Sequence, residues 1–131
     1  MSEMHWAARY IGLPWTPGHS DCWSFARRVW AERFGWDVPP LIIDPQNPRA
    51  VRQALAENPV DQGWTAIPDP VEGSAVLMGQ GLRPCHVGIW ITPEAGAGIL
   101  HSIEVAGVIF SSSGRLAGLG YRIHGFWHRG G

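Results

Sequence analysis

The chain has 131 residues, which is the length of one domain, and we expect a single domain over residues 1–131. Its formal net charge is −1 and it contains no lysine. The charge argues against a nucleic-acid binder that relies on a basic surplus, and the missing lysine excludes Schiff-base and P-loop lysine chemistry. The two cysteines, Cys22 and Cys85, are too few for a disulfide framework.

Targeting signals are absent from the sequence pattern. No apolar run reaches the roughly 18 residues that a membrane span needs. The first six residues do not show a basic segment followed by an apolar one, so no signal peptide is predicted. We therefore expect synthesis in the cytoplasm, and any function outside the cell would need another route of delivery.

The N-terminal half of the sequence predicts helices. Ser2 is a candidate N-cap for a short helix that extends to Ile11 and stops at Gly12. A later helix is predicted from Pro48 to Glu57, after a proline-rich connection over Pro39–Asn47.

The strongest helix signal follows Ser20 and Asp21, either of which is a suitable N-cap. Gly35 is the expected C-terminal stop. The apolar positions between them recur at the spacing of one helix face. They are Cys22, Phe25, Ala26, Val29, Trp30 and Phe34.

From residue 63 onwards the pattern changes to short strands separated by Gly, Pro and Ser clusters. Helices followed by strands predict an α+β fold, with an antiparallel sheet packed against the Cys22 helix. The predicted strands are Trp64–Ile67, Ser74–Met78, His86–Ile91, Gly98–Ile103, Val108–Phe110 and Tyr121–Trp127.

Cys22 is the first candidate for chemistry because it falls in the first turn of the strongest helix. Unpaired backbone N–H groups and the positive end of the helix dipole stabilise an anion there. A thiol at such a position is expected to have a lowered pKa and to act as a nucleophile. The alternative is structural, because Cys22 also fits the apolar face as a small hydrophobic side chain.

His86 and His101 lie on two predicted strands that a short loop joins. If the hairpin is centred between Glu94 and Ala95, Gly88 lies opposite His101. Both imidazoles are then diagonal neighbours on one face, where His86 can act as a base and His101 can orient it. A register shifted by one residue would separate them onto opposite faces.

Four segments of this sequence, in chain order, resemble the NlpC/P60 cysteine peptidases. The resemblance covers roughly residues 13–102, with a weaker echo over residues 123–126. The order and spacing of the four segments together are fairly specific. The segments are Leu13-Pro14-Trp15 with Asp21-Cys22-Trp23, then Val71–Met78, then His86–Trp90, and finally Leu100-His101-Ser102.

The resemblance implies a papain-like α+β fold and a set of catalytic roles. Cys22 would be the nucleophile, His86 the general base and later the acid, and His101 the orienting residue. The backbone N–H of Cys22 is a natural oxyanion-hole donor, because it lies in the unpaired first turn of the helix. The implied reaction is hydrolysis of an amide bond in the stem peptides of bacterial peptidoglycan, with no metal or cofactor.

The Cys22-Trp23 pair and the arginines that follow it look most like the compact family members encoded with phage tails and gene transfer agents. This subgroup implies delivery by a phage-like tail, with tail hub or tip proteins as partners. Many family members carry a tyrosine where this chain has Trp15. Trp15 and Trp23 are candidate walls of the substrate groove, or ordinary core aromatics, and Asp21 beside them is a candidate substrate contact or a helix cap.

The sequence leaves several alternatives open. The chain could be a structural tail-tip component with little or no activity. Glu104 or His124 could replace His101 as the third polar residue. A zinc site formed by Cys22, Cys85, His86 and His101 lacks the usual paired ligand spacing, and Cys85 is otherwise expected in the core. A lipid-modifying or acyltransferase relative is disfavoured, because its histidine would precede its cysteine.

Overall fold

The structure is a computed structural model that describes residues 5–16, 20–38, 63–79, 86–94 and 96–129. The helical elements are a 3-10 helix over Trp6–Arg9, α1 over Cys22–Val29, a π-helical turn over Trp30–Phe34 and α2 over Ser113–Gly118. The strands are β1 Trp64–Ile67, β2 Ala75–Gly79, β3 His86–Ile91, β4 Gly98–Ile103, β5 Gly107–Ser111 and β6 Arg122–Arg129.

The six strands form one antiparallel sheet in the order β1-β6-β2-β3-β4-β5. Strands that are consecutive from β2 to β5 are neighbours, whereas the last strand, β6, returns to lie between β1 and β2. α1 packs against β3 and β4. The prediction of an α+β fold with an antiparallel sheet against the Cys22 helix is confirmed.

The helical segment that begins at Cys22 follows the predicted pattern to its end. Asp21 is the N-cap, and Gly35 ends the segment in the left-handed conformation at φ 70°, where its N–H donates to the carbonyl of Trp30. The last five residues, Trp30–Phe34, are wound as a π-helix rather than an α-helix. Phe34, the last residue of this turn, is half-buried, and its ring stacks on that of Trp36 with the centroids 5.0 Å apart.

Two apolar clusters cover the two faces of the sheet. The face toward α1, which we call the α1 face, joins α1 residues such as Phe25 and Val29 to strand residues. The opposite face, the α2 face, contacts Leu116 of α2. The buried strand residues are Ala75, Val87, Ile89, Ile91, Leu100 and Val108 on the α1 face, and Val76, Met78 and Ile99 on the α2 face.

The outer edge of the sheet at β5 is partly covered by the segment after the 3-10 helix. Gly12 N–H donates to the Val108 carbonyl, and Val108 N–H donates to the Leu13 carbonyl, both at 2.9 Å. Gly107 has a φ of 75°, and a Cβ there would lie 2.2 Å from the Leu13 carbonyl oxygen. This close approach requires glycine and places Leu13 beside the start of β5.

Three of the predicted strand ranges are confirmed at both ends: Trp64–Ile67, His86–Ile91 and Gly98–Ile103. The first helix is shorter than predicted, because His5 caps it through Nδ1 and only Trp6–Arg9 is helical among the described residues. α2 was not predicted. The predicted helix Pro48–Glu57, the connection Pro39–Asn47 and Cys85 lie outside the described residues. No helix in the described ranges is long and apolar enough to span a membrane.

Candidate active site

Cys22 is the first residue of α1 and its side chain is half-buried. The Asp21 carboxylate caps the helix, because Oδ1 accepts from the Ser24 N–H at 2.9 Å and Oδ2 accepts from the Ser24 hydroxyl at 3.1 Å. Asp21 is only 4% exposed. Cys22 also packs against the apolar cluster of the α1 face. Its position in the first turn thus combines the electrostatics of a helix N-terminus with partial burial.

A buried hydroxyl fixes the start of α1 to the sheet. Ser102, the residue after His101 in β4, is fully buried, and its hydroxyl donates to the Ser20 carbonyl at 2.6 Å. Ser102 points to the α1 face, since adjacent strand residues point to opposite faces. The residues just before Cys22 are therefore held against the strand that carries His101.

His86 and His101 are hydrogen-bonded to each other. His86 Nε2 and His101 Nδ1 are 2.8 Å apart, with ring centroids at 5.0 Å. His101 continues to Ser111 of β5, whose Oγ lies 3.0 Å from His101 Nε2. We call His86, His101 and Ser111 the imidazole chain. All three side chains are buried, with exposures of 6%, 0% and 1%.

The hairpin register explains why the two rings meet. β3 and β4 pair from Ile89 opposite Leu100 to Ile91 opposite Gly98. The same register continued by one residue sets Gly88 opposite His101, which is the one of the two possible registers that places both histidines on one face. A Cβ on Gly88 would lie 2.4 Å from Ile99 Cγ2 and 3.0 Å from His101 Cβ. Gly88 therefore leaves the space in which the His101 side chain crosses toward His86.

Burial sets the protonation state of both imidazoles. Burial lowers the pKa of His86 well below its usual value of 6.5, and the neighbouring His101 lowers it further. Burial alone lowers the pKa of His101 to about 4. Transfer of a charged imidazolium from water into this environment is unfavourable, so both rings are neutral at pH 7.

Tyr121, which precedes β6, packs against both rings. Its ring is stacked on His86 at 4.7 Å with an interplanar angle of 17°, and it meets His101 edge-on at 6.1 Å. Sequence reasoning missed Tyr121 and Ser111. Ser111 lies one residue beyond the predicted end of its strand, and Tyr121 comes from a distant segment, so no local pattern pointed to either.

The helix that carries Cys22 and the two imidazoles lie on opposite faces of β3 and β4. α1 packs on β3 and β4, and their residues Val87, Ile89 and Leu100 belong to the same apolar cluster as the buried residues of α1. His86 and His101 project from the α2 face, which they share with Met78 and Ile99. The paired ladder between β3 and β4 ends at Ile89 and Leu100, before either histidine. The structure thus joins the two histidines directly and holds Cys22 on the helix that packs on their strands.

The other candidate residues occupy varied positions. Trp15 is half-buried, and Trp23 is buried in the core, where it meets Trp30 edge-on at 5.7 Å. Glu104 and His124 are exposed, and the position next to His86 is taken by His101. Within the described ranges, no group of three or more His, Cys, Asp or Glu side chains is arranged to hold a metal ion.

Comparison with models of known protein families finds no match to this chain, and comparison with curated proteins also finds none.

Proposed function

We propose that this chain is a cysteine peptidase of the NlpC/P60 type, with a papain-like fold, that hydrolyses stem peptides of peptidoglycan. The observation that carries the proposal is the buried pair of His86 and His101, built on the two strands against which the capped Cys22 helix packs. Two histidines joined at 2.8 Å in a low-dielectric setting are a suitable base and orienting pair for a thiol.

The proposed reaction uses the groups in sequence. His86 Nδ1 takes the proton of the Cys22 thiol, and the thiolate attacks the amide carbonyl to give a tetrahedral intermediate. The backbone N–H of Cys22, in the first turn of α1, donates to the oxyanion. The C–N bond then breaks, His86 returns the proton to the leaving amine, and a thioester remains. Water, deprotonated by His86, releases the acid and regenerates the thiol.

The electrostatics of the histidine pair suit a base that starts neutral. Because burial lowers the pKa of His86, the imidazole is unprotonated and able to accept a proton at pH 7. The imidazolium that forms is stabilised by the thiolate that forms with it, since opposite charges in a buried site attract strongly. His101 holds the ring in place from the other nitrogen.

The proposal requires that Cys22 and His86 meet beyond the end of the β3–β4 ladder. His86 is the first residue of β3 and Cys22 is the first residue of α1, so both stand at the start of their elements. Because the ladder ends at Ile89 and Leu100, the strand ends that carry the histidines lie outside the paired part of the hairpin. A thiol on one face of the sheet can contact an imidazole that projects from the other face only where the pairing of β3 and β4 has ended.

The second candidate function is a structural component of a phage-like tail tip without activity. The burial of the histidine pair favours it, since only 6% of His86 is exposed and Cys22 packs against the core. In both proposals the chain works in a phage-like tail, with hub or tip proteins as partners. They differ in whether the thiol is activated.

Digestion of purified peptidoglycan sacculi separates the two functions. Wild type, Cys22→Ala and, as a matched control for an exposed side chain, His124→Ala would be compared by mass spectrometry of released fragments. New stem-peptide termini with wild type and His124→Ala, but not with Cys22→Ala, are expected. Equal release by wild type and Cys22→Ala, or no release by any protein, would contradict the peptidase.

Alkylation by iodoacetamide tests the thiol without a substrate. An activated Cys22 reacts below pH 7 faster than a free thiol, because the thiolate is the reacting form. Mass spectrometry of the Cys22 peptide distinguishes its modification from that of Cys85. A rate no higher than that of a free thiol across this range would contradict an activated nucleophile.

A further inference from the structure

The imidazole chain contains more ring nitrogens than protons. Each neutral imidazole carries one N–H, so His86 and His101 share two protons among four nitrogens. His86 Nε2 faces His101 Nδ1 at 2.8 Å, and a hydrogen bond between them needs a proton on one nitrogen only. His101 Nε2 faces the Ser111 hydroxyl at 3.0 Å, and that oxygen is able either to donate or to accept.

Only two proton arrangements satisfy both contacts. In the first, Ser111 donates to His101 Nε2, His101 Nδ1–H donates to His86 Nε2, and the remaining proton of His86 sits on Nδ1. In the second, His86 Nε2–H donates to His101 Nδ1, and His101 Nε2–H donates to Ser111. Only the second leaves His86 Nδ1 without a proton, and Nδ1 is the nitrogen that does not face His101.

We propose that Ser111 is a positioning residue that accepts the His101 Nε2–H bond and thereby fixes both imidazoles in the tautomer that leaves His86 Nδ1 free to accept a proton. This inference rests on the proposed function, because a base at His86 needs that nitrogen bare. Ser111 acts through His101 and is separated from His86 by the whole His101 ring.

The burial of the imidazole chain allows the Ser111 hydroxyl to determine the tautomers of both histidines. Ser111 and His101 are 1% and 0% exposed, so solvent does not replace a lost partner without cost. Both rings are neutral at pH 7 because burial lowers the pKa of each. A neutral imidazole has two tautomers, whereas a protonated one has a single form. Ser111 reaches His101 because Ile99, two residues earlier in β4, pairs directly with Ser111.

Nitrogen NMR of the free protein tests the tautomer without any substrate. In protein labelled with 15N at histidine, protonated and bare ring nitrogens have widely separated shifts. Wild type is expected to show bare Nδ1 and protonated Nε2 on both His86 and His101. In Ser111→Ala, the acceptor is lost and the Nδ1–H tautomers are expected to gain population. A wild-type His86 with Nδ1 protonated, or the same tautomers in both proteins, would overturn the proposal.

Kinetics on sacculi provides the second readout. Ser111→Ala is expected to lower kcat by about tenfold or more, with little change in KM, because the tautomer that gains population has a proton on His86 Nδ1 and does not accept the thiol proton. Ser111→Thr keeps the hydroxyl and is expected to restore most of the rate. Ser74→Ala is the matched control, since Ser74 is also fully buried and contacts another histidine, His128, at 3.3 Å.

The two readouts separate this inference from the proposed function. An active wild type whose kcat is unchanged by Ser111→Ala would overturn the role of Ser111 and leave the peptidase intact. An inactive wild type with bare His86 Nδ1 would contradict the peptidase while the tautomer assignment holds. If Ser111→Thr does not fold, the NMR comparison of wild type with Ser111→Ala still decides the tautomer.

Discussion

The first turn of α1 and the β3–β4 hairpin hold their polar side chains in different ways. At α1, Asp21 caps the helix through Ser24, three residues away, and Cys22 beside them is half-buried. In the hairpin, His86 and His101 are fifteen residues apart and buried. The cap itself depends on local contacts, although Ser102 also holds the start of α1 against β4. The histidine site depends on the registers of three strands. Changes in the hairpin should therefore alter both chemistry and stability, whereas changes at the cap should be mild.

The largest expected effect is on activity at His86. His86→Gln removes the proposed base, and the rate of fragment release from sacculi should fall by roughly 100- to 10,000-fold, the range expected for a lost general base. His124→Gln, an identical change at an exposed position of β6, should leave the rate near wild type. Retention of the wild-type rate by His86→Gln would remove His86 from the mechanism.

Low pH should lower the free energy of unfolding through the two buried histidines of the hairpin. Because burial lowers the pKa of His101 from 6.5 to about 4, the unfolded state binds more protons between these values. The stability that comes from keeping the ring neutral is present above pH 6.5 and is lost as the pH falls toward 4. For His101 this amounts to roughly 3 kcal/mol, and the lowered pKa of His86 acts in the same direction.

Urea unfolding at a series of pH values from 7 to 5 measures this loss. The free energy of unfolding of wild type should fall with pH more steeply than that of His101→Gln, which has no imidazole at this position. Parallel pH dependence in the two proteins would contradict a lowered pKa for His101.

The space at Gly88 should not tolerate a methyl group. Gly88→Ala would bring its Cβ within 2.4 Å of Ile99 Cγ2 and is expected to cost about 1–3 kcal/mol, measured as a lower Tm. Gly114→Ala is the matched control in α2, where a Cβ meets nothing within 4 Å and alanine favours the helix. A Tm for Gly88→Ala equal to that of wild type would show that the hairpin can open around His101.

The smallest expected effect is at the cap. Asp21→Ala removes the two hydrogen bonds from Ser24 and should cost about 1 kcal/mol in chemical unfolding. Asp21→Asn retains a capping oxygen and should recover most of that loss. If Asp21→Ala destabilised the protein as much as Gly88→Ala does, the contrast between a local and a long-range site would not hold.

Much of the fold was predictable because its signals are local. The segment from Cys22 to Gly35 shows helical spacing with a cap at each end, and both caps are confirmed. Of the two hairpin registers that the sequence left open, the structure has the one in which β3 and β4 bring His86 and His101 to the same face. The π-helical winding of Trp30–Phe34 was not predictable, because the apolar spacing does not distinguish it from an α-helix.

The sequence by itself determined the α+β order and the capped helix that begins at Cys22, because these depend on residues close in the chain, where periodicity and capping signals suffice. For His86 and His101 the sequence offered a pair at one hairpin register and no pair at the next, and the structure has the register that pairs them. Only the tertiary structure decided that the imidazoles project from the α2 face while α1 covers the other, and that Ser111 and Tyr121 complete their surroundings. These contacts join distant segments, and their partners are selected by how the strands and helices pack, which no local pattern encodes.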